Sequence, residues 1–218
     1  MAGTSRSLSN FRHLTKKIIC VGRNYGDHFE GLNHSIPKNP LLFLKSTNTI
    51  IGEEGKIRIP PGCKDLYQEV ELAVIIGKKG YKIKKEEANN YVGGYSVALD
   101  MTANDFLTNA RKEGEPWFLA KSFDTSCVVG SFIPKNELQN PHNIELFCNV
   151  NGELRQKCNT KAMIFDIPSL ISYISQFVTL EKGDLLLTGT PSGISNVVSG
   201  DKIEFGLTDI CKNKVFVA

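Results

Sequence analysis

The sequence predicts a β-rich α+β domain, a mixed sheet with a few peripheral helices. Three observations carry that prediction. Short apolar runs bounded by Gly, Pro and Asn recur along the 218 residues, helical periodicity is confined to three stretches, and those stretches do not alternate with the strands as a parallel doubly wound sheet requires. The expected strands are Lys17 to Val21, Pro40 to Lys45, Gln68 to Ile76, Tyr95 to Leu99, Ile144 to Val150, Asp184 to Thr188 and Lys202 to Phe205. The expected helices are Lys85 to Tyr91, with Glu86 and Glu87 suited to a helix N-terminus, Ala103 to Lys112, and Ile167 to Phe177. In the last, Pro168 fits the first turn, and Leu170, Ile171, Ile174 and Phe177 share one face. No repeat or low-complexity segment is evident, and GxGxxG, GxxxxGK and GxSxG motifs are absent where a nucleotide site or a serine hydrolase would need them.

The chain is long enough for one core but not comfortably for two, so a single catalytic domain over residues 17–218 is expected, preceded by a basic tail over residues 1–16. No apolar run reaches the length of a membrane span, which argues against a membrane role. The 26 basic and 23 acidic residues leave a net charge of +3, too mild to argue for nucleic acid. The dense basic stretch KKGYKIKKEE turns acidic at its end and reads as a solvated hairpin or helix approach. The first 26 residues hold no acid and interleave Arg6, Arg12, Lys16 and Lys17 with serines, a composition that resembles a mitochondrial presequence and that an uncleaved basic tail explains nearly as well, so the expected location is mitochondrial, otherwise cytoplasmic. None of the six cysteines forms a CxxC pair. A two-residue turn at Asn151-Gly152 would set Val150 opposite Glu153 and Cys148 opposite Arg155, leaving Cys148 and Cys158 unbridged, as free thiols in a reducing compartment.

The chemistry is carried first by acids. In QEVELAVIIG, strand alternation puts Val70, Leu72, Val74 and Ile76 on one face and Glu69, Glu71, Ala73 and Ile75 on the other. Glu69 and Glu71 are readable as solvated strand acids. Ala73 and Ile75 continue the same face as apolar residues, which moves the balance toward acids entering a buried surface, where two like charges repel unless a cation lies between them. Asp100, ending YSVALD, is either a third carboxylate of that site or a strand-end acid capping the next helix. Lys121, alone in the apolar PWFLAKSF, is either buried beside a carboxylate or anionic ligand or snorkelling to the surface. Three carboxylates without a Cys or His cluster suit Mg²⁺ or Mn²⁺ better than zinc. CVGRNYGDHFEG adds Arg23, Tyr25, His28 and Glu30, and the amides of LLLTGTPSG, around Thr190, either bind a carboxylate or form an ordinary tight turn.

Taken in order, GRNYGDH, QEVELAVIIG, YVGGYSVALDMTAND, GEPWFLAKSFDTSC, VNGELRQ and LLLTGTPSG resemble the fumarylacetoacetate hydrolase domain family, in particular its small single-domain branch of mitochondrial acylpyruvases and oxaloacetate decarboxylases. The resemblance spans about Ile18 to Phe205. It implies a rolled mixed sheet, a homodimer, a divalent metal on Glu69, Glu71 and Asp100, and Lys121 and Thr190 facing a small 2-oxo acid. It also implies a lid around His28 carrying the general base. The implied activity is acylpyruvate hydrolysis or oxaloacetate decarboxylation; the alternatives are oxaloacetate keto-enol tautomerisation, or a catalytically weak relative that binds a dicarboxylate in a metal-dependent way. The chain departs from the branch at four positions. Gly31 stands where the branch has the Glu that partners the lid His, with Glu30 the only acid nearby, while Asn104, Leu107 and Gln68 replace an Arg, a Gln and a His.

Overall fold

A computed structural model of the chain describes residues 8–26, 37–53 and 55–218. The elements begin with helix α1 (Phe11–Leu14), then strands β1 (Ile18–Gly22), β2 (Leu41–Lys45), β3 (Ile50–Ile51), β4 (Lys56–Ile57), β5 (Leu66–Gln68) and β6 (Val70–Ile76). A 3₁₀ helix over Lys85–Tyr91 leads into β7 (Val92–Asp100) and β8 (Thr102–Ala103), followed by α2 (Asn104–Glu113), α3 (Phe118–Lys121), β9 (Cys127–Val129) and β10 (Ile133–Pro134). The hairpin β11 (Glu145–Val150) and β12 (Glu153–Asn159) precedes α4 (Ile167–Ser175), and β13 (Leu185–Leu187), β14 (Ser195–Val197), β15 (Lys202–Leu207) and β16 (Cys211–Val217) complete the chain.

The main sheet runs β2-β1-β13-β6-β7-β9-β3, with β10 added alongside β7. It is mixed, since β1 lies parallel to β13 while β6 is antiparallel to both β13 and β7. A second sheet, β12-β11-β15-β16-β4, packs over one of its faces, and a short third sheet, β14-β5-β8, closes one end. The expected alternation along β6 decides what lies on each side. Val70, Leu72, Val74 and Ile76 enter the large core shared with Leu146, Phe205, Val215 and the apolar face of α4. Ala73 and Ile75 enter a smaller core on the opposite face, with Cys20, Ala98, Cys127 and Leu187. The central strands are therefore covered on both sides, which explains their nearly continuous apolar runs.

Helix α4 starts as its sequence requires. Asp166 accepts a hydrogen bond from the Ser169 amide at 2.8 Å, Pro168 occupies the first turn, and Leu170, Ile171 and Ile174 are buried.

Four expectations need correction. Within the basic tail expected over residues 1–16, the described residues from Leu8 onward pack onto the domain: Leu8 and Phe11 are buried in the smaller core, the Arg12 guanidinium donates to the carbonyls of Val129 and Gly130, and the Thr15 hydroxyl donates to Gly183 O. The strand expected over Gln68 to Ile76 is broken at Glu69 into β5 and β6, which pair with different partners. The helix expected over Lys85 to Tyr91 is 3₁₀ throughout. In the β11–β12 hairpin, Val150 faces Glu153 as expected, but the register shifts between Cys148 and Asn149, so Cys148 faces Gln156 rather than Arg155. One extra residue on β12 reverses which side chains face inward beyond it, and it turns Gln156 into the core. All six cysteines are free thiols.

Candidate metal centre

Strand pairing builds the acidic cluster. In the β6–β7 ladder Val70 faces Leu99 and Glu71 faces Ala98, and the amide of Asp100 donates to Glu69 O at 2.8 Å, so Glu69 and Asp100 are cross-strand neighbours on the face that also bears Glu71. One carboxylate oxygen from each of Glu69, Glu71 and Asp100 lies within 4.8 Å of the others. Asp100 is fully buried, Glu71 is 1% exposed and Glu69 9%. Asp100 does not cap α2, whose N-cap, Ala103, makes no side-chain hydrogen bond. The three acids sit where the smaller core gives way to a cavity of about 180 Å³, whose walls include Arg23, Phe43, Arg111, Trp117, Lys121 and Thr190.

Two buried lysines hold the acids together. Lys121 Nζ donates to Asp100 Oδ2 at 2.7 Å, Glu69 Oε2 at 2.9 Å and Thr102 Oγ1 at 2.6 Å, so it is buried beside carboxylates rather than snorkelling. Lys45, at the end of β2, was not among the expected site residues. Its Nζ contacts Asp100 Oδ1 at 2.7 Å and donates to the carbonyls of Met101 and Lys121 at 3.1 and 2.5 Å. The signal for it was the same as for Lys121, a single cation closing the apolar run PLLFLK.

Burial raises Glu71 well above the usual carboxylate range, Asp100 and then Glu69 add to the rise, and the Gly189 amide and Lys121 only partly offset it. Burial would also raise Asp100, but Lys121 and Lys45 outweigh it and hold the carboxyl below its ordinary value. For Lys121 burial acts downward, and Asp100 and Glu69 overcome it, so the ammonium is held more firmly than usual. With Glu71 protonated, the two ammonium groups balance Glu69 and Asp100, and ionisation of Glu71 adds a negative charge that a bound cation would compensate. An all-oxygen donor set of this kind fits a hard divalent cation, with Glu69, Glu71 and Asp100 as its ligands.

The glycine loop after β13 binds a carboxylate through an amide, and that carboxylate belongs to the protein. Gly189 N donates to Glu71 Oε2 at 2.6 Å. Its φ of +99° and the 2.7 Å that would separate an added Cβ from Asn24 Cβ explain the glycine. Thr190 lines the cavity, although its hydroxyl already donates to Val70 O and accepts from Gln156 Nε2, both at 2.8 Å. Gln156 also accepts from the Val70 amide at 2.9 Å, which ties the loop to β6. Gln156 was missed as a site-building residue because only the bulge in β12 turns it inward.

Arg23 lines the cavity in a left-handed conformation, φ 57°. Tyr25, expected beside it, is instead fully buried in the large core, where it bridges to Met163 and does not reach the cavity wall. Asn24, between them, fixes this division, since its side chain accepts from Phe165 N and donates to Phe165 O and Thr188 O. His28 and Glu30 lie outside the described residues.

The fumarylacetoacetate (FAA) hydrolase C-terminal domain matches residues 17–216. The chain belongs to this family. Among the family's members, the mitochondrial oxaloacetate tautomerase of Caenorhabditis elegans is 57% identical over 208 residues, covering 95% of this chain and 97% of that protein. The mitochondrial oxaloacetate decarboxylase of Dictyostelium discoideum is 45% identical over 204 residues, covering 93% and 94%. The fold likewise follows fumarylacetoacetate hydrolase family structures. The crystal structure of fumarylpyruvate hydrolase from Pseudomonas aeruginosa, in complex with Mn²⁺ and pyruvate, superposes with a TM-score of 0.89 at 31% identity, covering 94% of this chain and 90% of that one.

Proposed function

We propose that the protein is a Mg²⁺-dependent enzyme acting on oxaloacetate, by keto-enol tautomerisation or decarboxylation, with acylpyruvate hydrolysis the weaker activity. The observation that carries this reading is the buried triad of Glu69, Glu71 and Asp100, opening into a cavity sized for a small acid. Relatives named for oxaloacetate chemistry at 57% and 45% identity support the substrate class.

A divalent cation bound by the three carboxylates would supply the positive charge against which enolate charge develops. The chain's own groups do the rest. Lys121, held cationic by Asp100 and Glu69, is a poor base and acts as a fixed positive charge facing the substrate. Thr190 and Gly189 keep Glu71 and the cavity wall in place. In tautomerisation a proton leaves C3 and one is delivered to the C2 oxygen. In decarboxylation the C3–C4 bond breaks, CO₂ departs, and the electron pair left at C3 is later protonated. His28 is our candidate for the base that moves the C3 proton, with Glu30 the acid nearest it in sequence. Hydrolysis needs an activated water as well, so Gly31 in place of the branch's Glu weakens that reaction most.

The test is a panel assay of purified protein with Mg²⁺ on enol and keto oxaloacetate and on acetylpyruvate. We expect turnover of oxaloacetate, abolished by Glu71→Ala. No turnover of any of the three, or full activity in Glu71→Ala, would sink the proposal. We further propose a mitochondrial location, which the relatives' names and the acid-free first 26 residues support, and a homodimer, which the exposed Leu44, Phe177 and Val178 support.

A further inference from the structure

Asn104, Leu107 and Arg111 all line the cavity and follow the i, i+3, i+7 spacing of a single helix face, so α2 presents a continuous stripe to it. The Asn104 amide is occupied at the rim, donating to Asp65 Oδ2 at 3.0 Å, and Leu107 is buried. Arg111 is the stripe's cation. Its guanidinium lies over the Trp117 ring, 4.9 Å from the centroid, a contact that arginine can combine with hydrogen bonding to a ligand through its planar N–H fork. Arg23 joins it on the cavity wall from the end of β1. Among the described residues neither guanidinium takes part in a salt bridge, whereas Lys45 and Lys121 are both committed to the acids below. Partial burial, and then the neighbouring Arg23, hold Arg111 below its ordinary pKa, with Glu69 acting in the opposite direction. Arginine remains charged under such pressure. Two guanidinium groups on the wall of one small cavity, neither in a salt bridge among the described residues, suit an anionic ligand.

We propose that Arg111 and Arg23 form a subsite for the second carboxylate of a 2-oxo dicarboxylate, whose 2-oxo carboxylate end is turned to the acidic triad. This rests on the reading of the triad as the metal and 2-oxo acid site. Asn104 stands where the family resemblance implies an Arg, and Arg111 lies seven residues, about 10 Å of helix axis, further along the same face. Helical side chains lean toward the N-terminus, so Arg111 reaches back over the cavity. The forked, charge-assisted geometry of Arg with carboxylate makes the second anionic group of the substrate a source of selectivity over monocarboxylates.

The experiment is calorimetric titration of the Mg²⁺-loaded protein with pyruvate and with 2-oxoglutarate, which share the 2-oxo acid end and differ in the distal carboxylate. We expect the wild-type protein to prefer 2-oxoglutarate. Arg111→Gln should weaken 2-oxoglutarate by roughly 10- to 100-fold and pyruvate by no more than about 3-fold, with Arg111→Lys between, as expected for loss of a charge-assisted contact. Equal losses for both ligands, no loss for either, or a wild-type protein that does not discriminate between them would overturn the subsite. Oxaloacetate turnover measured on the same preparation separates the two readings. Discrimination without turnover removes the enzymatic proposal and keeps the subsite, and turnover without discrimination does the reverse. Arg23→Gln, at the end of a different element, should reproduce the selective loss, so the result does not hang on the folding of one variant.

Discussion

Lys45 and Asp100 form an ion pair with both side chains wholly buried, and Lys121 closes on the other oxygen of the same carboxylate. Removing one partner of such a pair leaves a charge stranded in the interior, which typically costs about 3 to 5 kcal/mol. Lys45→Met should destabilise the metal-free protein by about that much. With Lys45 gone, three carboxylates face one ammonium, and a divalent cation restores balance, so saturating Mg²⁺ should recover a large part of the loss. Urea denaturation with and without Mg²⁺ measures both, and an identical deficit in the two conditions would contradict the account. Glu71 gives a pH dependence. Its folded pKa is raised, so the fold favours its protonated form. That contribution is complete below the unfolded value of about 4.3 and is lost as pH climbs through the folded one. A bound cation needs the ionised form and relieves the repulsion. The increase in melting temperature produced by Mg²⁺ should therefore grow as pH rises over the range above the ordinary carboxylate pKa. A shift that stays constant or shrinks over that range would rule out Glu71 as a ligand.

Among the elements, α1 is four residues long and holds its place through tertiary contacts rather than helical propensity. Phe11 is 1% exposed, packs with Phe132 at 6.2 Å between ring centroids, and covers the face of the main sheet that ends at Glu71 and Asp100. Phe11→Ala should cost about 3 kcal/mol or more. Because that face also backs the acidic cluster, the variant should bind Mg²⁺ more weakly as well, a pairing that thermal denaturation and calorimetry can check together. Loss of stability with unchanged Mg²⁺ affinity would show that the smaller core does not support the site. The pattern along β6 was legible because strand alternation is local, and it correctly assigned Glu69 and Glu71 to one face. The break at Glu69 was not, because it arises where β5 leaves β7's neighbour and pairs with β14 and β8 instead.

At the scale of the whole molecule, β2 is one edge of the main sheet among the described residues, and beside it Leu44, Phe177 and Val178 are 59%, 69% and 41% exposed around one apolar groove. An unpaired edge strand next to exposed apolar side chains favours association. If this surface carries the proposed dimer, Leu44→Glu combined with Phe177→Glu should convert the protein to a monomer in sedimentation equilibrium. A mass unchanged from that of the wild type would place the interface elsewhere, and a monomeric wild type would remove the dimer altogether.

The sequence by itself determined the β-rich class, the two faces of β6, the first turn of α4 and its apolar face as far as Ile174, though not the exposed Phe177 beyond the helix end, and the candidate ligands Glu69, Glu71 and Asp100, because strand alternation and helical periodicity are written in neighbouring residues. That Asp100 stands beside Glu69 rather than capping the next helix was decided only by the pairing of β6 with β7. Only the tertiary structure decided that Lys45 shares Asp100 with Lys121, that Gln156 braces Thr190, that Arg23 reaches the cavity while Tyr25 does not, and that Arg111 completes the cationic wall. Each of these depends on segments far apart in the chain, or on a one-residue bulge that reverses inside and outside. Neither leaves a trace in local spacing.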